Sequence, residues 1–417
     1  MTQKPRILII GIGGGGMNAV RRMKEVGIPN AVDYIVIGTD HLSQRRCIKE
    51  GIPYYELGDL AGATDPCQMY PSRRPEFYKA LAERAEKGIG NIIDYHFKRA
   101  TFRSVKKLKD RIKGCIYGQA IGDALGLGTE FMTRAEVAAN YPDRLERYEQ
   151  IVQDSHRRRW WRGSWTDDTD MMLCIARARR NNHFDLQAVA HNFIRWFNGN
   201  PLGIGRHTFN VLRMRDYLNN PIEASKIMWQ ISGCDSAANG GLMRTSIMGT
   251  SPTVSENEVA DICRLTHYDP RCTGSCVIAV NIIQNLIFKE HQPSPSEILP
   301  IANTYDTRIV EYIELAASAQ SLDELSVDDE SMGYTLKTLA VALWSLWHCN
   351  SFHEGLTAVV NSGGDADTNA AVACAILGAK YGFSEIPGYY ADNLLGTLEL
   401  ETIYNDTIAD IGNNTNR

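Results

Sequence analysis

The chain has no CxxC pair among its 10 cysteines, no excess of positive charge and no internal repeat of fixed period. Thiols scattered at irregular spacing read as reduced, mostly buried cysteines, the usage expected of a cytoplasmic protein. Cys272 and Cys276 lie one helical turn apart on an apolar stretch and read as core residues rather than a metal pair. Lys and Arg number 44 against 49 Asp and Glu, a formal net charge of -5, which argues against a dedicated nucleic-acid binder while leaving room for local basic patches. The longest apolar runs look too short and too interrupted to cross a bilayer, and no membrane association is expected. The opening MTQKPRILIIG lacks the cationic, apolar and small-residue parts of a secretory signal in their order.

What is present is ordinary globular material. Hydrophobic residues make up 44% of 417 and charged residues 22%, enough to bury a large core and to exclude wholesale disorder. The texture changes along the chain. RILIIG reads as a strand, GGGG and the stretch Met17 to Val26 as a turn into a helix, and YIVIGTD as a second strand ending in Asp40. Pro53 to Pro75 is rich in Gly, Pro and Asp and reads as loop, and Glu76 to Lys87 as one more helix. His96 to Lys113 is strongly basic, fitting a linker that enters a helix with a solvated face, or a docking surface for an acidic partner. Beyond it, apolar residues recur at helical spacing over 169–179, 186–197, 222–231, 256–265, 274–288, 335–348 and 366–380, with no convincing alternating strands. The expected organisation is a mainly α protein: a small α/β segment over 1–95, a basic linker over 96–112 and an all-α domain over 113–417.

Two similar acidic motifs stand far apart in the chain. WTDDTD carries Thr166, Asp167, Asp168 and Thr169, and GGDADT carries Asp365, Asp367 and Thr368, each where a loop becomes a helix. Thr and Asp at such positions are preferred helix caps, and first-turn acids suit the helix dipole. Two or three carboxylates in one turn exceed what capping needs, however, and repel one another unless a cation neutralises them. Glu130, after a Gly-rich turn in GDALGLGTEF, is a third candidate. Carboxylates and Thr hydroxyls without His or Cys are hard oxygen donors, suited to Mg²⁺, Mn²⁺ or Ca²⁺ rather than Zn²⁺. Several such groups could hold two ions through a bridging carboxylate.

The strings GCIYGQAIGDALGLGTEF, WTDDTDMM, NGGLMR, THYDPRC and GGDADTNAAVACAILGAKYG follow one another in that order. Together they closely resemble the ADP-ribosylglycohydrolase family, over about Lys113 to the C-terminus. The resemblance implies an all-α domain whose cleft holds two Mg²⁺ or Mn²⁺ ions and hydrolyses the bond between ADP-ribose and a protein side chain, usually arginine and sometimes serine. By motif it makes Thr166, Asp167 and Asp168 one group of metal ligands and Asp365, Asp367 and Thr368 the other, with Asp168 or Asp367 of the bridging type. Glu130 matches the glutamate near the metals, and Glu130 or Asp168 is the expected proton-handling group. Asn239, Gly240, Gly241 and Arg244 look like a substrate loop, Gly203 and Gly205 in PLGIGR a second one, and His267 matches a histidine that contacts ADP-ribose. Ala366 stands where many members carry Thr, a position expected to point away from the ligands. RRRWWRG, Arg157 to Gly163, reads as a rim of the cleft. A catalytically idle binder of ADP-ribose or of a toxin is the alternative within the same fold.

At the front, Gly11, Gly13 and Gly16 have the GxGxxG spacing between a strand and a helix, the setting of a Rossmann phosphate loop. The fuller string GGGGMNAVRRM followed by YIVIGTD resembles the start of the bacterial tubulin homologue FtsZ, and a Rossmann-like or pre-ATP-grasp module is a rival for the same segment. The GGGTGTG phosphate loop of tubulins is missing, which argues against GTPase activity. A regulator working through GTP or NAD is a third reading. Joined, the two resemblances suggest an immunity protein against an ADP-ribosyltransferase toxin: the front segment would block the toxin in a direct complex, and the rear domain would remove ADP-ribose from a target such as FtsZ.

Overall fold

The computed structural model describes residues 7–26, 32–38, 45–47, 49–50, 52, 54–56 and 105–415. The chain divides into two compact units, Met1–Val105 and Lys106–Arg417. Asp40, the loop over 53–75 beyond Glu56, the helix expected over 76–87 and residues 96–104 of the basic stretch lie outside the described residues.

In the first unit, strand β1 (Ile7–Ile12) pairs in parallel with β2 (Val32–Gly38), Ile7 opposite Val32 and Ile12 opposite Ile37. A short β3 (Tyr54–Glu56) adds in parallel to β2. Helix α1 (Gly13–Val26) follows β1 directly. It starts four residues earlier than Met17, where the apolar pattern begins, so Gly13 to Gly16 form its first turn rather than a loop before it. Met17 and Val20 of α1 pack with Val36, Cys47 and Ile52 into a small core.

The second unit is helical. Among its described residues, strand pairing is limited to a hairpin of Arg179–Arg180 with His183–Phe184 and two isolated bridges, Met132 to Gly364 and Ala238 to Tyr334. The elements that position the site are α2 (residues 105–126), α3 (Asp167–Ala176), α4 (Pro270–Phe288), α5 (Thr335–His348), α6 (Phe352–Val360) and α7 (Ala366–Tyr381). Helix α4 corrects one expectation. At 19 residues it is long and apolar enough to span a bilayer, yet 83% of its most apolar window is buried inside the protein. It is a core helix whose all-round apolar surface is covered by neighbours, and Cys272 and Cys276 are buried in it.

Helices α2 and α7 run together at a separation that only glycine permits. A Cβ on Gly114 would lie 2.3 Å from the carbonyl oxygen of Gly378, on Gly118 2.1 Å from that of Cys374, on Gly122 2.2 Å from that of Ala370, and on Gly126 2.5 Å from that of Ala366. One glycine per four residues keeps a bare stripe on one face of α2. Two basic residues of α2 are engaged within the same unit: Lys107 pairs with Glu290 at 2.5 Å and Lys113 with Glu401 at 2.6 Å, while Lys113 also sits 4.4 Å from the ring centre of Phe383.

Candidate active site

The two acidic motifs meet. Thr166 Oγ1 lies 3.3 Å from Asp168 Oδ2 and 3.5 Å from Asp367 Oδ2, across 201 residues of sequence. Oxygens of Glu130, Asp365 and Asp367 all lie within 4.8 Å of one another. The backbone explains how. Glu130 follows the C-terminal end of α2, its N–H bonded to the carbonyl of Gly126 at 3.1 Å. Phe131 N–H then donates to Gly364 at 2.7 Å, and Gly364 N–H returns to Met132 at 2.8 Å. Gly363 and Gly364 both have φ of +70°, the left-handed turn that delivers Asp365 to the start of α7.

The capping explanation of these motifs does not hold. Thr166 and Asp365 occupy the N-cap positions of α3 and α7, but neither side chain caps its helix. For α3 the duty falls to Asp123 of α2, a residue the sequence reading missed. Its carboxylate accepts from Thr166 N–H at 2.9 Å, Thr169 N–H at 3.0 Å and Thr169 Oγ1 at 2.6 Å. Gln119, one turn earlier on α2, donates to the carbonyl of Asp168 at 3.2 Å and to that of Met243 at 2.9 Å. Asp167 and Asp168 are therefore spared for the cavity, while Asp170 accepts from the indoles of Trp165 and Trp196. Asn239 takes the second group in hand: its Nδ2 donates to Asp365 Oδ2 at 2.6 Å and to Thr338 Oγ1 of α5 at 2.9 Å.

Among the described residues, no Lys or Arg forms an ion pair with Asp167, Asp168, Asp365 or Asp367. Burial, with mutual repulsion among the carboxylates, pushes Asp167 up to about 7 and holds Asp168 and Asp367 well above the usual carboxylate range. Burial likewise raises Asp365 to about 6, though the Asn239 hydrogen bond opposes it. Asp168 Oδ1 is buried without a hydrogen-bond partner among the described residues. Crowded, buried, unpaired oxygens of this kind fit a hard divalent cation, whose charge would relieve the repulsion.

These groups line one cavity of about 810 Å³. Glu130, Thr166, Asp167, Asp168, Asp365, Asp367 and Thr368 lie on its wall, with Asn239, Gly240, Gly203, Gly205 and His267. Gly203 is pressed on Asp167: a Cβ there would meet Asp167 Oδ1 at 3.0 Å. Gly240 is pressed on His267 in the same way, at 2.8 Å from its ring. His267 is buried, its Nε2 has no partner among the described residues, and burial beside His207 and Arg244 drives its titration well below the ordinary histidine range. It faces the cavity as a neutral imidazole.

Two of the expected substrate residues are placed elsewhere. Gly241 and Arg244 do not line the cavity. Gly241 packs on Cys263 and His267, and Arg244 is wholly buried, its guanidinium 4.4 Å from the ring centre of Phe193 and bonded to Thr266 Oγ1 at 2.8 Å. Thr266 Oγ1 in turn lies 2.7 Å from His267 Nδ1, so Arg244 reaches the cavity wall only through its neighbours. The arginine of a short 3-10 turn, Asn239–Arg244, points inward because the turn presents Asn239, Gly240 and Met243 on its other side. Ala366 is buried, its carbonyl close to Gly126, and it does not line the cavity. From RRRWWRG, Arg159 and Trp160 line the cavity, while Trp161 is exposed beside it along a smaller pocket that shares Thr166 and Asp167.

The family model for ADP-ribosylglycohydrolase matches residues 104–416. The chain belongs to this family. Its described helical unit coincides with the part of the chain that the family accounts for. The chain is 29% identical over 314 residues to "ADP-ribosylarginine hydrolase Tri1" of Serratia proteamaculans, a match that covers 69% of the present chain and 75% of that protein. It is 28% identical over 306 residues to "ADP-ribosyl-[dinitrogen reductase] glycohydrolase" of Rhodospirillum rubrum, covering 70% and 92%. Among solved structures it is similar to an "ADP-ribosylglycohydrolase-related protein complex", with a TM-score of 0.59 and 25% identity over 73% of this chain and 99% of that one.

Proposed function

We propose that this ADP-ribosylglycohydrolase releases ADP-ribose from modified arginine side chains in a cleft that takes two Mg²⁺ or Mn²⁺ ions. The observation that carries the reading is the carboxylate cluster itself: acids from two helix starts that face one cavity beside Glu130 and, among the described residues, have no Lys or Arg ion-pair partner. Thr166, Asp167 and Asp168 would hold one side of the ion pair, and Asp365, Asp367 and Thr368 the other. Bound there, the ions would polarise ribose oxygens and order an attacking water.

The chain's own groups do the rest. Glu130 stands at the edge of the cluster and is the group we assign to move a proton as the glycosidic bond breaks, with Asp168 its rival. Asn239 fixes Asp365, and Asp123 fixes the start of α3. Gly203, Gly205 and Gly240 keep the wall free of side chains where the diphosphate and riboses would lie, with the His267 ring packed behind Gly240. Arg159, Trp160 and Trp161 form the lip nearest the modified protein. The relatives named as arginine hydrolases support arginine as the linkage. The test is release of free ADP-ribose from ADP-ribosyl-arginine and ADP-ribosyl-serine proteins, with and without EDTA, by the intact chain and by Asp367→Ala. Release from serine alone would refute the linkage, and release unaffected by EDTA would refute the metal.

The finer reading is an immunity protein of the cytoplasm, its first unit a small α/β module of the FtsZ or Rossmann kind that engages an ADP-ribosyltransferase toxin. Its support is the sequence of that unit. A full-length Asp367→Ala chain tests it: if the inactive protein still prevents the toxin from modifying FtsZ, blocking is separate from hydrolysis. Full modification in its presence would end the idea.

A further inference from the structure

Glu130 is tied to a part of the chain that no motif reading connects with it. Its Oε2 lies 2.6 Å from His156 Nε2. The other ring nitrogen, Nδ1, lies 2.6 Å from a guanidinium nitrogen of Arg159. A guanidinium only donates, so Nδ1 must be the acceptor and the ring proton sits on Nε2, directed at Glu130. The ring itself is wedged between Phe131 and Trp160, with centroids 5.3 and 5.4 Å away, and Arg159 lies over Trp160 at 4.4 Å. The neighbouring Arg157, buried, holds the main chain of the same turn: its guanidinium donates to the carbonyl of Gly128 at 2.8 Å and to that of Glu130. Phe131 then adopts φ of +62°, a conformation a bulky residue keeps only where its surroundings impose it.

We propose that His156 is the positioning residue for Glu130, its proton fixed on Nε2 by Arg159 so that the glutamate carboxylate is held against the Asp365 and Asp367 pair. The assignment rests on the reading of Glu130 as the proton-handling group beside the metals. It gives the short 3-10 turn Arg157–Arg159 a function that its place on the cleft rim alone does not. Arg157 sets the backbone of Glu130, His156 its carboxylate, and Arg159 the tautomer of His156. Outer partners that orient groups beside a metal typically matter about 10- to 100-fold.

The test compares His156→Ala, His156→Gln and Arg159→Gln with the unaltered chain. Gln can reach with an amide N–H to the same oxygen, so it separates the hydrogen bond from the ring. In His156→Ala, kcat should fall about 10- to 100-fold with KM little changed, and His156→Gln should recover most of it. Arg159→Gln should lose less than His156→Ala, since the ring stays and only its tautomer is freed. Mn²⁺ affinity measured by calorimetry gives a readout apart from turnover: it should weaken in His156→Ala and return in His156→Gln. Equal kcat and equal Mn²⁺ affinity in His156→Ala and the unaltered chain would overturn the proposal, as would a His156→Gln chain as impaired as His156→Ala. If the unaltered chain releases no ADP-ribose, the functional reading fails, and Mn²⁺ affinity alone decides on His156. Should His156→Ala not fold, His156→Gln and Arg159→Gln decide: full activity with Gln and a loss on freeing the tautomer support the proposal, and no difference between Arg159→Gln and the unaltered chain overturns it.

Discussion

Replacing Gly126 by Ala tests how the site depends on the glycine face of α2. The added Cβ would lie 2.5 Å from both the carbonyl oxygen of Ala366 and the Cα of Asp367, where ordinary contact begins at 3.4 Å. Backbone atoms cannot rotate away, so α2 and the start of α7 must part by roughly 1 Å, and overpacking of this kind costs about 1–3 kcal/mol. The better helix propensity of Ala offsets at most about 1 kcal/mol. Gly118→Ala is the control: its Cβ meets Cys374 O at 2.1 Å, a clash at least as close, two turns further from the acids. Both variants should lower the urea midpoint of the protein. Only Gly126→Ala pushes directly on a residue of the carboxylate cluster, and a displacement of about 1 Å at reacting groups can cost about 100-fold in rate. Release of ADP-ribose and Mn²⁺ affinity should therefore collapse in Gly126→Ala and survive in Gly118→Ala. A Gly126→Ala chain with unaltered rate and affinity would refute the argument, and so would equal functional losses in the two variants.

Three further outcomes follow from the same geometry. Saturating Mg²⁺ should raise the melting temperature of the EDTA-treated protein, by a stabilisation of about 2.7 kcal/mol at 100-fold excess over Kd; Asp367→Ala should abolish the shift in differential scanning fluorimetry, and no shift in the unaltered chain would sink the metal site. In the metal-free protein Asp365 and Asp167 stand at about 6 and about 7 against an ordinary 3.8, so the folded state binds more protons than the unfolded one across that window. Its stability should fall as pH rises from about 4 to about 7, and the fall should flatten with Mg²⁺ present; a urea midpoint that rises over that range would contradict the assigned shifts. Asp123→Ala removes the acceptor of two backbone N–H groups at the start of α3 and should destabilise the protein by about 1–3 kcal/mol, with an unchanged unfolding midpoint counting against the capping role.

Periodicity was a good guide to the helices because their apolar faces are buried at fixed spacing: the pattern over 335–348 is the helix Thr335–His348, and that over 366–380 is Ala366–Tyr381 but for one residue. The meeting of the acidic motifs was foreshadowed because clustered acids at a helix start are costly without a purpose. Arg244, grouped in the sequence with the Asn-Gly-Gly loop, is carried by that 3-10 segment into the core rather than onto the cavity wall. Asp123 and His156 were passed over for a different reason. Each acts on a partner distant in sequence, and neither the capping of α3 from α2 nor the grip on Glu130 leaves a local pattern. A signal for Asp123 did exist: an aspartate inside the apolar run GQAIGDALG must find donors when that helix is buried. The glycines of that run also stood in plain sight at intervals of four.

These strands of argument converge on α2. A helix N-terminus normally consumes its first polar side chains to satisfy its own N–H groups. Here α3 receives that service from Asp123 of α2, which leaves Asp167 and Asp168 unspent. The bare face of α2 lets α7 approach closely enough to bring Asp367 beside Thr166, and the turn that ends α2 carries Glu130 to the same place. Both helix starts contribute positive dipole ends, which favour anionic groups and temper the repulsion among the acids. The two halves of the cluster are thus coupled through one helix. A perturbation anywhere along its inner face, from Gly126 to Asp123, should register at the acids before it registers in the periphery of the fold.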